Sequence, residues 1–415
     1  MAYSQALSGL SAASSDLDVI GNNISNANTV GYKQSGAQFA ALYATAMHTS
    51  MNNGPGIGTS VSKITEKFTQ GTISETGQTL DMAINGNGFF QTANAAGAKS
   101  YTRNGQFSLD AGGKIVNAQG LNLMGYAADA KGVLNTSAPV PLSIPSGSIP
   151  PSMSTKVNSE ANLNASSKPP AEKPFNASNT ATYNNATTAQ IFDSLGNAHT
   201  LNMYYVKEPA TNGQPSSWNV YGSMDGAPVG YSAGSAPKTI AQLSFDQSGK
   251  VVGNGLSNIT LSMPKGATAS QPIKLDLSKT TQFGSDFAAT SVTSDGCSAG
   301  SLSSFSIDNS GKLMGTYSNG QSATLGQVSL ASFANEGGLV NLGNNVFAES
   351  ASSGQPQVGV AGTGALGNLK SGATEASNVD LTSSLVDLIT AQRYYQANAQ
   401  TIKTQQSVDQ TLMNL

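Results

Sequence analysis

The chain has 415 residues, of which only 10% are Asp, Glu, Lys or Arg, and its net charge is −3. Folded proteins usually carry about 25% charged residues, so this surface must consist largely of Ser, Thr, Asn, Gln and Gly, which favours dense self-association. No run of five basic residues occurs, which disfavours nucleic-acid binding, and the single cysteine, Cys297, excludes an intrachain disulfide and a cysteine zinc site.

The first ten residues, MAYSQALSGL, contain no Lys or Arg and no continuous apolar core. That composition differs from a cleaved secretion signal. No window approaches 18 uninterrupted apolar residues, so the sequence predicts no membrane insertion. We expect a chain that stays inside the cell or leaves it by a route that needs no cleaved signal.

An apolar heptad pattern opens the chain. Its steps alternate between three and four residues over three repeats, which predicts an α-helix that packs along one seam. The predicted seam residues are Tyr3, Ala6, Leu10, Ala13, Leu17, Ile20 and Ile24.

An asparagine-rich stretch follows this seam. Asn and Gly enter the left-handed conformation readily, and an Asn side chain can bond its own backbone. The sequence therefore predicts a joint that ends the helix, turns the chain outward and contacts neighbouring chains. The joint residues are Asn22, Asn23, Asn26, Asn28 and Gly31.

The pattern changes again after the joint. For residues 31–71, which are rich in Gly, Ala and Met, the sequence predicts only a connecting segment whose path it does not define. From about 70 to 370, alternating apolar residues and frequent Gly predict β-strands. Composition breaks near 145–180 and 285–303 predict one β domain inserted into another. The outer β domain would be residues 148–296, the discontinuous one 72–147 with 297–372, and the terminal helical one 1–30 with 373–415.

One short unit recurs in the β region. It consists of an apolar residue, Asp, two spacers and Gly, and it appears in LDAGGKIV, FDSLGNAHTL, FDQSGKVV and IDNSGKLM. The Asp can accept backbone N–H bonds and the Gly can supply a positive φ, so each copy predicts a hairpin turn. A calcium loop is disfavoured because each copy has only one carboxylate.

The C-terminus repeats the heptad pattern of the N-terminus. We expect one helix over 378–412, capped by Ser377 or Asn378, with Asp380 in its first turn. Its polar flanks are mostly amides and hydroxyls, which predicts burial on several sides. The seam residues are Leu381, Leu385, Leu388, Gln392, Tyr395, Ala399 and Ile402. The predicted fold is multidomain α+β, with long terminal helices in a coiled-coil-like pair around nested β domains.

Catalytic patterns are scarce. The only histidines, His48 and His199, lie about 150 residues apart, and the sequence lacks the phosphate-loop pattern G-x-x-x-x-G-K-[ST]. A spatial pair of carboxylates for glycoside hydrolysis stays open on sequence alone. We predict no enzyme, and assign no catalytic, cofactor or metal residue.

Three stretches together resemble the bacterial flagellar rod and hook protein family. They are SGLSAASSDLDVIGNNISNANTVGYK, YTRNGQFSLDAGGKIVNAQGLNLMGY after INGNGFF, and GATEASNVDLTSSLVDLITAQRYYQANAQ near the C-terminus. The length of 415 residues and the large insert favour the hook members over the shorter rod members.

The resemblance implies a homopolymer, assembled outside the cell into a curved helical tube that acts as a universal joint. It implies export through the flagellar type III apparatus without a cleaved signal. It also implies assembly under a hook cap, with the distal rod protein and the hook–filament junction protein as neighbours. The alternatives are a distal rod subunit of the same family and, from another class, a secreted β-rich adhesin or glycan-binding protein.

Overall fold

The computed structural model describes residues 2–42, 56–129, 132–145, 147–209, 216–232, 234–263 and 266–413. Part of the predicted connecting segment, 43–55 with His48, lies outside these residues. The chain divides into two compact units, described separately below. Unit 1 comprises Met1–Ser146, Ser304–Thr316 and Ser322–Leu415, and unit 2 comprises Gly147–Ser303 and Tyr317–Gln321.

Two α-helices lie at the two ends of the chain, as predicted. Helix α1 is Ala2–Ser25 and helix α2 is Leu381–Met413. They lie side by side and antiparallel, because Gly9 faces Asn398 while Asp16 lies near Asp387. A Cβ atom on Gly9 would come within 2.8 Å of the Asn398 Oδ1, so the glycine permits a close approach.

The predicted cap of α2 is wrong. Asp380 caps this helix, because its Oδ1 accepts the N–H groups of Thr382 and Ser383 at 2.8 and 3.1 Å. A carboxylate at this position also faces the positive end of the helix dipole. The Asn378 side chain instead forms hydrogen bonds with the backbone of Gln34 and of Lys67. Ser377 Oγ accepts the Val379 N–H.

The strands follow in chain order. The first ten are β1 Ser35–Leu42, β2 Gly58–Glu66, β3 Ile73–Glu75, β4 Met82–Asn85, β5 Phe89–Ala93, β6 Lys99–Thr102, β7 Ser108–Leu109, β8 Ile115–Val116, β9 Asn122–Ala127 and β10 Val140–Pro141. The next ten are β11 Lys156–Asn164, β12 Asn185–Phe192, β13 Ala198–Lys207, β14 Ser216–Met224, β15 Ala227–Pro228, β16 Ala241–Phe245, β17 Leu256–Ser262, β18 Ser270–Asp276, β19 Thr281–Phe283 and β20 Ala288–Ser294. The last eight are β21 Leu302–Ile307, β22 Lys312–Tyr317, β23 Ser322–Ser332, β24 Val340–Gly343, β25 Val346–Ala348, β26 Gln357–Val360, β27 Asn368–Ser371 and β28 Ala373–Glu375.

The main sheet of unit 1 follows the order β21-β22-β23-β9-β5-β6-β25-β24. An aromatic cluster packs on it, in which the rings of Tyr101 and Phe333 meet edge to face with centroids 4.8 Å apart. Strands β1 and β2 form a separate antiparallel hairpin within the segment predicted to connect helix and sheet. Short pairs β3–β28 and β4–β27 join the N-terminal part of the unit to the stretch before α2.

Unit 2 consists of two five-stranded sheets that share one apolar core. One sheet has the path β17-β18-β11-β19 with β20 on β11, and the other has β12-β13-β14-β15 with β16 on β14. Alternate residues point inward, as in the e-B-e-B pattern of β12 and β18. Trp218, Val220 and Leu275 are fully buried in this core.

The four predicted Asp–Gly turns are confirmed. In each, the Asp Oδ1 accepts two backbone N–H bonds of 2.8–2.9 Å and the Gly has φ between 76° and 85°. The pairs are Asp110 with Gly113, Asp193 with Gly196, Asp246 with Gly249, and Asp308 with Gly311. Sequence reasoning missed further turns of this design at Asn94, Asn117 and Asp129, where two of the three use an amide oxygen in place of a carboxylate.

His199 lies between two carboxylates in unit 2. Its Nδ1 is 2.6 Å from Asp225 Oδ2, and its Nε2 is 3.5 Å from Asp193 Oδ2. Burial lowers the pKa of His199, but its hydrogen bonds to the two carboxylates outweigh burial, and the pKa lies above the ordinary 6.5. Burial raises the pKa of Asp193, but hydrogen bonds from Asn197, Leu195 and His199 bring it down to about 2. The side chains of His199, Asp193 and Asp225 therefore link two turns of unit 2 through hydrogen bonds that involve charged groups.

Candidate assembly site

A buried carboxylate in unit 1 joins the three stretches that carry the family resemblance. Glu375 is fully buried, and its Oε1 lies 2.6 Å from Lys33 Nζ while its Oε2 lies 3.2 Å from Arg103 Nη1. Lys33 ends the first stretch, Arg103 lies in the second and Glu375 in the third. The Gly71 N–H also donates to Glu375 Oε1 at 2.9 Å, and Lys33 Nζ donates to the Thr69 carbonyl at 2.7 Å.

The surroundings make this cluster sensitive to the loss of any member. Arg103 also donates to the Gly86 carbonyl at 2.9 Å, and its guanidinium lies 5.4 Å from the ring centre of Phe89. Burial lowers the pKa of Lys33, and the attraction of Glu375 opposes that shift. Removing one partner of a buried pair leaves the other charge uncompensated, which is strongly destabilising. The cluster therefore fixes where both helices join the β-rich body.

The predicted joint lies directly beside this cluster. Gly31 has φ +71°, and a Cβ atom there would lie 2.5 Å from the backbone nitrogen of Asn104, so only glycine fits. Its N–H donates to the Glu375 carbonyl at 2.8 Å. Asn23 is buried: its Oδ1 accepts from Tyr32 and from the Ser35 N–H, and its Nδ2 donates to the Ser35 carbonyl at 2.7 Å.

The other joint asparagines lie nearer the surface. Helix α1 ends at Ser25, and the Nδ2 of Asn26 donates to the Oδ1 of Asn22 at 2.7 Å. Thr29 donates to Asn26 Oδ1 at 3.0 Å. Asn22 and Asn28 are exposed. The structure thus gives Asn22, Asn23 and Asn26 partners within the chain, and the predicted contacts with neighbouring chains stay a prediction.

Asn378 ties together three segments at the start of α2. Its Oδ1 accepts the Gln34 N–H at 2.7 Å, and its Nδ2 donates to the Lys67 carbonyl at 2.7 Å and to Thr69 Oγ1 at 2.9 Å. These contacts position the ends of the β1–β2 hairpin against the residues that precede the helix.

The residues of the two predicted seams differ in how far they are buried. On α1, the buried members are Ala6, Ala13 and Ile20, the half-buried ones Leu10, Leu17 and Ile24, and the exposed one Tyr3. On α2, Leu388, Ala399 and Ile402 are half-buried, while Leu381, Leu385, Gln392 and Tyr395 are exposed. The buried residues of α2 are Ser384 and Ala391, which share a face with the half-buried Asn398.

Helix α2 exposes large apolar side chains over most of its length. Leu385 is 49% exposed, Val386 59% and Ile389 51%. An isolated chain does not place such residues in water for its own stability, and a contiguous apolar surface marks an interaction site. Exposure of this kind is typical of a surface that packs against other chains.

Sequence reasoning missed Lys33, Arg103, Glu375 and Asn378 as functional residues. A usable signal was present, because only 10% of the chain is charged and each of the three resemblance stretches carries one member of the buried cluster. Within the described ranges, no group of three or more His, Cys, Asp or Glu side chains could hold a metal ion. In those same ranges, neither helix combines the length and apolarity needed to cross a membrane.

Four protein-family models match the chain. They are the Flagella basal body rod protein at 5–33, the Flagellar hook protein FlgE/F/G D1 domain at 83–162, the Flagellar basal body protein FlaE D2 domain at 162–297, and the Flagellar basal body rod FlgEFG protein C-terminal at 370–415. A β-rich body between two terminal helices, with the stretches that the family models match at both ends meeting at Glu375, defines a flagellar rod and hook protein.

Curated relatives narrow this class. The chain is 41% identical to the flagellar hook protein FlgE of Salmonella typhimurium, over 100% of both chains. It is 31% identical to FlgE of Borreliella burgdorferi, over 99% of this chain and 98% of the relative. The chain belongs to the flagellar hook protein family, whose members are structural proteins.

A solved structure supports the fold. The Helicobacter pylori flagellar hook protein FlgE2 matches with a TM-score of 0.53 at 16% identity, covering 72% of this chain and 99% of that one. Two terminal helices with a β-rich body between them are confirmed. The coiled-coil geometry of the helix pair remains a prediction.

Proposed function

We propose that this chain is the subunit of the flagellar hook, which self-assembles outside the cell into a curved tube. The tube transmits torque from the rod to the filament as a flexible universal joint. Identity across the full length to hook proteins supports this function. The observation that carries it in the structure is the exposed apolar surface of α2, which neighbouring chains would cover in a polymer.

The terminal helices form the inner wall of the tube in this proposal. The helices of the terminal domain, 1–30 with 373–415, pair in a coiled-coil-like manner, and the seam residues not covered by their own chain pack against neighbours. A contact between unlike surfaces that does not close a ring produces a helical filament. The small residues Ser384 and Ala391 support this arrangement, because they let α1 approach one face while the larger residues face outward.

The β-rich parts form the outer layers. We assign 72–147 with 297–372 to a discontinuous domain and 148–296 to an inserted outer domain, with 31–71 as the connection. The two compact units of the fold support this division, as does the family model that covers 162–297. The β1–β2 hairpin supports a connection that has structure of its own.

The partners follow from membership of the family. Besides copies of itself, we expect the subunit to contact the distal rod protein, the hook cap and the hook–filament junction protein. We also propose that it passes through the flagellar type III export apparatus without loss of a signal segment. No catalytic role enters this proposal.

Two equivalent substitutions test the inner wall. Leu385→Gln changes α2, and Leu195→Gln changes a leucine of unit 2 that is also exposed, at 58% against 49%. Negative-stain microscopy and sedimentation of full-length protein should show curved tubes for the wild type and Leu195→Gln, and monomers for Leu385→Gln. Tubes of normal diameter from Leu385→Gln would contradict the assignment of the inner wall.

The same micrographs separate the remaining functions. Straight tubes from the wild type would favour a distal rod subunit. A monomer that binds glycans and never polymerises would favour the adhesin.

A further inference from the structure

A pocket of neutral side chains lies beside the helix-end joint in unit 1. Its volume is about 370 Å³, and the polar residues around it include Asn22, Asn26, Asn104, Gln119, Asn344 and Asn345. None of the residues that line it carries a formal charge. Amides both donate and accept hydrogen bonds, so the pocket suits an uncharged polar group or a backbone segment.

An exposed edge strand borders this pocket. Strand β24 ends the path of the main sheet, and all four of its residues are exposed. Val340 is 49% and Leu342 is 59% exposed. An edge strand presents unpaired backbone N–H and C=O groups, and natural proteins usually protect such an edge with charges or a cover. Here Val340 and Leu342 are left exposed, and the one carboxylate that contacts the strand, Glu66, accepts from Asn341 Nδ2 at 3.0 Å.

The turn that follows β24 also lies beside the pocket. Asn344 and Asn345 have φ of +52° and +59°, the left-handed conformation that a two-residue hairpin turn requires and that Asn adopts readily. Asn345 has contacts inside the chain, because its Nδ2 donates to the Val30 carbonyl at 2.9 Å and its carbonyl accepts from Thr102. Asn344 makes no side-chain hydrogen bond within the described residues, although its side chain lines the pocket.

We propose that β24 and the amide pocket together dock a second copy of this chain. An apolar centre beside polar groups is the usual composition of a protein interface. A charged group placed in the pocket would lose its hydration without meeting an opposite charge among the lining residues, whereas this chain has a surface poor in charge and rich in amides. The inference rests on the proposed self-assembly, and adds to it a contact on the β-rich body, away from α2.

Two variants of the full-length chain test the surface. Leu342→Gln removes the apolar centre, and Asn344→Gly removes one amide at a position where glycine is favoured by the backbone. The control is Leu195→Gln in unit 2, since that leucine is exposed to almost the same degree, 58% against 59%. We would measure the critical concentration for polymerisation by sedimentation, and the thermal unfolding of the monomer.

We expect Leu342→Gln to raise the critical concentration about tenfold or more, from the loss of one buried leucine per contact. Asn344→Gly should raise it by a smaller factor, and the unfolding temperature of both variants should match the wild type. Unchanged critical concentrations, or an equal rise for Leu195→Gln, would overturn the docking surface while leaving the hook function intact. A wild-type chain that forms no polymer would overturn both.

Discussion

The β-sandwich of unit 2 and helix α2 treat their apolar side chains in opposite ways. In the sandwich, Trp218, Val220 and Leu275 are fully buried by residues of the same chain. On α2, Leu385 and Ile389 remain about half exposed. The two sheets thus complete their core within a single molecule, whereas in the proposed assembly α2 gains its cover from neighbouring chains. If the proposal holds, different residues carry the stability of the subunit and the stability of the polymer.

The largest effect that we expect is a loss of stability in unit 1 that leaves the stability of unit 2 unchanged. Glu375→Ala leaves Lys33 and Arg103 buried without their carboxylate, which should cost about 3–5 kcal/mol of the free energy of unfolding of unit 1. Trp218 is the only tryptophan and lies in unit 2, so its fluorescence reports that unit alone, while helical circular dichroism reports α1 and α2. We expect the dichroism transition to move to lower urea and the fluorescence transition to stay.

The control for this experiment is Glu75→Ala. Glu75 pairs with Lys370 at the surface, and its side chain is 75% exposed. Exposed pairs contribute little, so both transitions should stay in place. Equal shifts for Glu375→Ala and Glu75→Ala would show that the buried cluster contributes no more to stability than an exposed ion pair.

The next largest effect that we expect comes from replacing a turn glycine in unit 2. Gly249 and Gly226 both have positive φ, and a Cβ atom on Gly249 would lie 2.5 Å from the Gln282 carbonyl oxygen. A Cβ atom on Gly226 would have no described neighbour within 4 Å. Gly226→Ala should cost about 1–2 kcal/mol from backbone strain alone. Gly249→Ala should cost more, since the clash adds to the strain, and equal losses in tryptophan-monitored unfolding would refute the close contact.

A smaller effect depends on pH. The pKa of His199 is raised above 6.5 in the folded chain, so its stabilisation is complete below pH 6.5 and is lost as pH rises through the folded pKa. The pKa values of Asp193 and Asp225 are lowered, so their stabilisation holds above about pH 4 and is lost on further acidification. Unit 2 should therefore be most stable between about pH 4 and pH 6.5.

His199→Gln tests this pH dependence. The decline of tryptophan-monitored stability above pH 6.5 should disappear in the variant. A decline that persists unchanged would assign the pH dependence to other groups.

The smallest effect on the monomer concerns α2 itself. Leu385→Gln should change the free energy of unfolding of the isolated chain by less than about 0.5 kcal/mol, because its side chain is already half in water. The same substitution should prevent polymerisation, as proposed above. A loss above about 1 kcal/mol in the monomer would show that Leu385 already serves the single chain, against the contrast between α2 and the sandwich.

Features with local causes could be predicted from the sequence. The turn at Asp246 and Gly249 depends on residues four positions apart, so its pattern is visible in a short window. The cap of α2 was assigned to the wrong residue, because Ser377, Asn378 and Asp380 are all suitable caps and Asn378 is held by Gln34 and Lys67 instead. That choice depends on segments more than 300 residues away.

The candidate site illustrates the same limit. A period of 3.5 residues shows that α2 has an apolar seam, but not which face its own chain covers. The covered face is set by Ser384 and Ala391, whose small size permits close packing, and neither belongs to the predicted seam. The contact between Lys33 and Glu375 spans 342 positions, and only their place in separate resemblance stretches could have suggested it.

The Asp–Gly turns also bear on the order in which the chain gains structure. Each is closed by bonds between residues at most four positions apart, and hairpins of this kind form in about 1–10 µs. The Lys33–Glu375 contact closes a loop of 342 positions, and so large a loop must wait until intervening segments have become compact. We therefore expect the hairpins to appear first in refolding kinetics, and the junction that brings the two termini together to form last.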